Sequence, residues 1–326
     1  MRAVRCRAWG GIADLAIEEI DPPELAPGSV RIAVRAAGVN FADTLIIAGQ
    51  YQTKPPLPFT PGFEVAGEVI ACADDVTRVQ PGDRVLAVVD WGGFAEEVVA
   101  PESAVHALPD AVDDITAAGF AVAYGTSHFG LKYRASLTAN DVLLVHGAAG
   151  GVGLTAVEIG RRLGAMVIAT AGGAAKLKVA AEYGAEHLID YRSEDIREKV
   201  KKITGGRGVD VVYDPVGGDV FDASLRCTAA GGRILVVGFA SGTVPRIPAN
   251  ILLVKNLTVI GYTWGPYREL APEMMKASFA ELLAWLAERK IRPHVSRTFP
   301  LEQVREALDE LRARRSTGKI VLTVDR

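Results

Sequence analysis

His146-Gly147-Ala148-Ala149-Gly150-Gly151-Val152-Gly153 decides how the rest of the chain is read. The short apolar run Asp141-Val142-Leu143-Leu144-Val145 precedes it and reads as a buried strand. Leu154, Val157 and Ile159 follow at near-helical spacing, with Arg161 and Arg162 outward and Gly164 as a stop, so a helix is expected over 151–163. A strand, a glycine turn and a helix start together make an anion site. The first N–H groups of the helix lack partners, and its dipole adds about half a positive charge. The spacing Ala148-x-Gly150-x-x-Gly153 departs from G-x-G-x-x-G by alanine at the first position. Gly150, Gly151 and Gly153 still permit backbone approach to a pyrophosphate and close helix–strand packing. Ala149, Gly150, Gly151 and Val152 are therefore candidate dinucleotide contacts.

From Asp141 onward, strand and helix alternate. Strands are expected over 141–147, 166–171, 187–191, 209–215, 232–239 and 257–263, with helices at 151–163, 175–183, 195–204 and 220–229 between the first five. Strands separated by helices imply right-handed parallel crossovers. Six of them form the two halves of a doubly wound α/β dinucleotide fold. The first 110 or so residues differ, with alternating runs at 30–36, 63–70 and 83–89 divided by Pro22-Pro23, Pro27-Gly28, Pro61-Gly62 and Pro81-Gly82. Many short strands without helices between them predict a partly closed β-barrel. Helical stretches begin at Asp113-Asp114 and run on through Tyr124, Thr126, Phe129 and Leu131. Amphipathic helices are expected at 272–289 and 301–311, and 319–324 reads as a strand returning to the barrel, which makes that domain discontinuous. The expected division is 1–122 with 264–326 as one domain and 123–263 as the other.

Composition excludes several classes. The 326 residues are 49% hydrophobic and 23% charged, an ordinary globular balance, with a formal net charge of −3 and no basic stripe for nucleic acid. No apolar run reaches membrane-spanning length, and the N-terminus lacks the apolar core of a signal peptide. A cytoplasmic protein is expected. Cys6, Cys72 and Cys227 show no C-x-x-C spacing, and the five histidines make no metal-ligand pair.

The second strand, Met166-Val167-Ile168-Ala169-Thr170, runs into Ala171-Gly172-Gly173-Ala174-Ala175-Lys176 without an acid. A carboxylate about 4 Å from a 2′-phosphate costs about 4 kcal/mol per unit charge at an effective dielectric of 20. A missing bond to a neutral ribose hydroxyl costs only about 0.5–1.5 kcal/mol. The absent acid thus favours NADPH, with Gly172 leaving room and Lys176 within reach of the phosphate.

The motifs Ala37-Gly38-Val39-Asn40-Phe41-Ala42-Asp43, Pro61-Gly62-Phe63-Glu64-Val65-Ala66-Gly67, Ala123-Tyr124-Gly125-Thr126, Ala148-Ala149-Gly150-Gly151-Val152-Gly153 and Thr317-Gly318-Lys319 occur in that order. On these, the chain resembles the zinc-independent quinone oxidoreductases of the medium-chain dehydrogenase/reductase superfamily, the group that includes zeta-crystallin. The resemblance implies a Rossmann domain plus a GroES-like β-barrel. It also implies a homodimer paired near Leu257–Tyr262 and hydride transfer from nicotinamide C4 to a small quinone or enone. The zinc enzymes of the superfamily place a ligand Cys where Asn40 stands and a ligand His where Phe63 stands, so no catalytic metal is expected.

The resemblance further implies site roles. Asn40 meets the nicotinamide end, and Asp43 anchors its loop. Tyr51 lines the substrate mouth, as a proton or hydrogen-bond donor or as an aromatic wall. Thr126 lies near the nicotinamide, and Tyr191, with Arg192 beside it, near the adenosine. Gly238-Phe239 end the fifth strand at the ligand crevice, and Lys319 approaches the nucleotide or is an edge-strand charge. Asn40, Tyr51 and Thr126 are the catalytic candidates. Two alternatives stay open at this stage: a 2-alkenal or enoyl-CoA reductase, and an NADPH-binding structural or regulatory protein without turnover.

Overall fold

The computed structural model describes residues 1–325, which divide into two units, 1–122 with 286–325 and 123–285.

The second unit is built on a six-stranded, wholly parallel sheet. Its strands lie in the spatial order His187–Asp190, Met166–Ala171, Val142–Val145, Val209–Asp214, Thr228–Val236, Thr258–Gly261. Numbered along the chain that is 3-2-1-4-5-6, the doubly wound order in which the crevice opens between the first and fourth strands. The inner strands are apolar because helices cover both faces; Val142–Val145 is buried throughout. The crossover helices are Gly151–Arg162, Ala174–Glu182, Ile196–Ile203 and Asp219–Cys227, within two residues of expectation at each end.

Three expectations for this unit need correction. The fifth strand starts at Thr228 and ends at Val236, so Gly238 and Phe239 lie in the loop beyond it. An irregularity at Ala229–Gly232 hides its start from the sequence pattern, because pairing jumps from Val209–Thr228 to Val211–Arg233. A further helix, Ala249–Lys255, connects the fifth and sixth strands. It is short, and neither Leu253 nor Val254 is buried to give it an amphipathic signature. The domain boundary also moves. Residues 264–285 pack in this unit, where Ser278 Oγ meets His128 Nδ1 at 2.7 Å and Glu281 accepts from Lys132, so the segment joining the first unit begins at Leu286.

The first unit holds a mainly antiparallel sheet organised on one long strand, Ser29–Val39, with Val295–Pro300 pairing parallel to its neighbour Lys319–Thr323. That strand pairs with Glu64–Cys72 along most of its length, with Glu97–Pro101 at its beginning and with Lys319–Thr323 at its end. Arg84–Val88 and Val105–Ala107 extend the sheet on one side, and Val295–Pro300 on the other. Lys319–Thr323 does return to this sheet from the far end of the sequence, as the strand pattern predicts. The alternation Val30, Ile32, Val34 changes phase at the irregularity between Val34 and Ala36, after which Ala37 and Val39 enter the same core. Val65, Val69, Ile320 and Leu322 meet them there. Among the described residues, no helix is long and apolar enough to cross a membrane.

Candidate active site

The glycine turn follows the first strand of the parallel sheet, and its geometry reassigns one role. Gly147, outside the counted motif, takes φ +57, a left-handed conformation that suits glycine, and makes the tight turn that the first glycine of G-x-G-x-x-G makes in dinucleotide folds. Gly153 is where the helix closes on that turn: a Cβ there would lie 2.1 Å from the Gly147 carbonyl oxygen. Gly150 is the exposed N-cap, and Gly151 and Val152 open the helix half-exposed. The Gly150 N–H donates to the Gly147 carbonyl at 2.9 Å, whereas the Gly151 and Val152 N–H groups have no acceptor within the helix and are available to an anion. Ala149 is buried beneath them.

At the end of the second strand stand two side chains that arrive from the third. A Cβ on Gly172 would lie 2.7 Å from Tyr191 Oη and 2.8 Å from Arg192 Nε, and one on Gly173 would lie 3.3 Å from an Arg192 guanidinium nitrogen. Arg192 therefore overhangs the Gly172-Gly173 turn, and Lys176 sits half-buried in the first turn of the helix that follows. Sequence reasoning places Arg192 only beside the adenosine end. Its position depends on the third strand lying next to the second, which no local pattern records. One acid is near. Asp190 ends the third strand, but its Oδ1 accepts from the Gly173 N–H at 3.1 Å and the Arg192 N–H at 3.0 Å, so it ties the two turns together.

Elsewhere in this unit, Thr126 is buried and its carbonyl accepts from Tyr262 Oη at 3.1 Å. Gly125 lies under the Trp264 ring, 2.3 Å from where its Cβ would stand. Asp214 Oδ1 accepts from the Val216 and Gly217 N–H groups at 2.8 and 2.9 Å, the local turn that the Asp-Pro dipeptide suggests. Phe239 is exposed beyond the fifth strand. His146 is fully buried between Thr170 and Ser224, at 3.0 and 2.7 Å, and burial pushes its pKa down, so it is a neutral core joint.

The first unit carries a buried polar cluster drawn from four segments. Asn40 caps the helix Phe41–Ile47. Asp43 Oδ2 accepts from the Asn40 N–H at 2.7 Å and Oδ1 from the Gly62 N–H at 3.1 Å, anchoring the loop to the next strand. Asp43 is completely buried, and desolvation raises its pKa to about 7 against the pull of both backbone donors and of Lys319. Glu64 Oε2 accepts from the Val122 N–H at 2.8 Å, while Oε1 accepts from Asn40 Nδ2 at 2.9 Å and Lys319 Nζ at 2.8 Å. Lys319 Nζ also donates to Asn40 Oδ1 at 2.6 Å and to the Val39 carbonyl at 2.8 Å. An ammonium has three donors, and all three are occupied inside the unit. Lys319 is thus not an edge-strand charge, since its strand lies between two others, and its ammonium is the centre of this cluster. Tyr51 lies apart from it, half-buried with its ring 5.5 Å from Phe63 at a 58° tilt.

Comparison with known proteins bears on both units. Residues 26–110 match the alcohol dehydrogenase GroES-like domain family, and residues 151–287 the zinc-binding dehydrogenase family. The chain is 41% identical over 98% of its length to a quinone oxidoreductase-like protein 2 homolog of Nematostella vectensis, covering 88% of that protein. It is 37% identical to the quinone oxidoreductase of Pseudomonas aeruginosa, over 98% of this chain and 99% of that one. The chain belongs to the quinone oxidoreductase family. It is a medium-chain dehydrogenase/reductase with a Rossmann and a GroES-like domain, and an oxidoreductase. The structure of the Escherichia coli quinone oxidoreductase complexed with NADPH superposes on it with a TM-score of 0.94 at 31% identity, covering 99% of this chain and all of the other.

The zinc implied by the second matched family does not suit these residues. Asn40 and Phe63 offer no thiolate or imidazole, and the Lys319 ammonium already lies against Glu64 and Asn40. Among the described residues, no group of three or more His, Cys, Asp or Glu could hold a metal ion.

Proposed function

We propose that this protein is an NADPH-dependent quinone reductase that works without zinc. The observation that carries the reading is the placement of Arg192 and Tyr191 over a Gly172-Gly173 turn that has no acid of its own and whose neighbour Asp190 is tied to the Gly173 and Arg192 N–H groups, next to a glycine turn whose helix start is open to a pyrophosphate. When bound, NADPH supplies the hydride that a quinone accepts.

The chain's own residues bind and orient. The Gly151 and Val152 N–H groups and the helix dipole hold the pyrophosphate, with Ala149 and Gly150 shaping the floor. Arg192, Lys176 and Tyr191 hold the 2′-phosphate, where a guanidinium matches the anion's geometry. Asn40, Thr126, Gly238 and Phe239 serve the nicotinamide end, and Tyr51 with Phe63 offers an aromatic wall to a planar acceptor. A quinone is electrophilic without a Lewis acid, so after hydride transfer its oxygen takes a proton from solvent and leaves as hydroquinone. Positioning and exclusion of water then carry most of the rate.

We also infer a homodimer formed at Thr258–Gly261. This strand is one edge of the parallel sheet, and the helix leading into it exposes Leu253 and Val254, each 78% accessible. Three unpaired cysteines among the described residues suit a cytoplasmic setting. Oxidation of NADPH and of NADH is followed with 1,4-benzoquinone and 9,10-phenanthrenequinone, with and without chelator. Turnover restricted to NADPH and indifferent to chelator is the expected result. NADPH oxidation seen only with 2-alkenals or enoyl-CoA esters overturns the quinone assignment, and a monomeric mass in solution overturns the dimer.

A further inference from the structure

Asp190 is the acid beside the Gly172-Gly173 turn, and its carboxylate is turned to backbone. Strand pairing sets Asp190 opposite Ala171, so the ends of the second and third strands lie level. One oxygen, Oδ1, accepts from the Gly173 N–H at 3.1 Å on one side and the Arg192 N–H at 3.0 Å on the other. Gly173 is the N-cap of the helix Ala174–Glu182 and has no side chain to cap with. The third residue of that helix, where a capping box places Glu or Gln, is Lys176. Asp190 supplies the acceptor for the N-cap N–H from the neighbouring strand instead.

The backbone of Asp190 is held as firmly. Its N–H donates to Glu194 Oε2 at 2.9 Å, and its carbonyl accepts from the Ser193 and Glu194 N–H groups at 3.0 and 2.8 Å. The turn 190–194 is therefore closed at its base, with Tyr191 and Arg192 exposed on it. The Oδ1 bond runs to the Arg192 main chain. It fixes where that side chain starts and leaves the N–H donors of the guanidinium to a ligand.

We propose that Asp190 is a positioning residue that sets the preference for a 2′-phosphate: as a hydrogen-bond acceptor it holds the Arg192 main chain against Gly173, so that the guanidinium stands over the Gly172-Gly173 turn before the nucleotide arrives. The inference rests on the proposed role of Arg192 at the 2′-phosphate and extends it by one residue. Asp190 acts through Arg192, not on the nucleotide. Its negative charge opposes the phosphate, so the acceptor and the charge pull in opposite directions and two variants separate them.

Asp190→Asn keeps a carbonyl oxygen for both N–H groups and removes the charge; Asp190→Ala removes both. Dissociation constants are measured for 2′,5′-ADP and 5′-AMP, which differ only in the 2′-phosphate and end before the nicotinamide. The proteins are the wild type, the two variants, Arg192→Ala, and D190A combined with R192A. The readout is the preference for 2′,5′-ADP over 5′-AMP, which a general loss of adenosine binding leaves unmoved.

The expected preference in D190N equals or exceeds that of the wild type. In D190A it falls about fivefold below D190N, the scale of one hydrogen bond. Once Arg192 is alanine, D190A has no further effect on it. Equal preferences in D190N and D190A overturn the proposal, as does a fall in D190A that weakens both probes alike. A preference in D190N as low as in D190A makes the charge the essential feature and overturns it too, and an undiminished effect of D190A without Arg192 overturns the route through that residue. A wild type with no preference for 2′,5′-ADP defeats the phosphate site itself, whereas these variant results leave that site standing. No reading needs turnover, so the outcome with quinones does not bear on this test.

Discussion

The glycine turn of residues 147–153 and the lysine cluster around residue 319 handle polarity in opposite ways. The turn has no charged side chain. It presents bare N–H groups at a helix start and keeps them open by excluding Cβ atoms at Gly147 and Gly153. The cluster is rich in charge and uses it up internally, with one ammonium serving three acceptors and one carboxylate receiving three donors. Ligand affinity in the first case comes from what the backbone leaves unpaired. In the second, precision comes from leaving almost nothing unpaired.

Breaking the cluster is expected to give the largest effect. Lys319→Met by itself leaves Glu64 buried, charged and short of its counter-ion, which costs about 3–5 kcal/mol. Chemical denaturation of the single variant should show that loss, and adding Glu64→Gln should recover most of it. If K319M unfolds like the wild type, the pair is not buried as described, and the contrast with the turn disappears.

Asp43 provides a pH-dependent test of the same cluster. Its pKa stands at about 7 in the folded protein, against 3.8 when free. The folded state therefore binds more protons than the unfolded one between about pH 4 and 7, so this group makes stability fall as pH rises through that window. His106, held neutral by burial with a pKa of about 4, pulls the other way over about pH 4 to 6.5. The two are separated by comparing wild type with Asp43→Asn, where the difference in unfolding free energy should change by about 2–4 kcal/mol across the window. A pH-independent difference would mean that Asp43 stays ionised throughout.

On the nucleotide side, Arg192→Ala sharpens the comparison, because it removes the guanidinium that overhangs the second-strand turn. NADPH should bind about 10- to 100-fold more weakly, the range for hydrogen bonds to a charged group, and NADH should be unaffected. Equal weakening of both would shift the phosphate site from Arg192 to Lys176.

The same contrast explains what can be read in advance. The parallel sheet and the glycine turn are legible because their signals are local: apolar runs of strand length, helical spacing between them, and glycines close together in one short stretch. The cluster is visible only in pieces. Asn40 and Asp43 stand in one motif, whereas Glu64 and Lys319 are ambiguous because their partners lie up to 280 positions away. Arg192 can be named but given no role, since it reaches Gly172 only through the pairing of neighbouring strands. Gly147 takes the role expected of position 148 because the turn is one residue wider than the counted motif. The segment 264–285 goes to the wrong unit because an amphipathic helix announces a buried face without naming what buries it. His128 and Lys132 receive it.

The smallest expected effect concerns Tyr51, whose two readings the sequence does not separate. The ring is half-buried, tilted against Phe63 and packed on the core of the first unit, so most of its contribution is apolar surface. Tyr51→Phe keeps that surface and removes only the hydroxyl, and kcat with 1,4-benzoquinone should stay within about twofold, far below the roughly 10²–10⁴ in rate that a general acid supplies. A fall of about a hundredfold in kcat would turn the wall into a proton donor. Proton delivery from solvent would then no longer describe the reaction. Tyr51→Ala completes the argument in the other direction: with the ring gone, KM for the bulkier phenanthrenequinone should rise more than KM for benzoquinone, because a wall matters most to the acceptor that covers more of it.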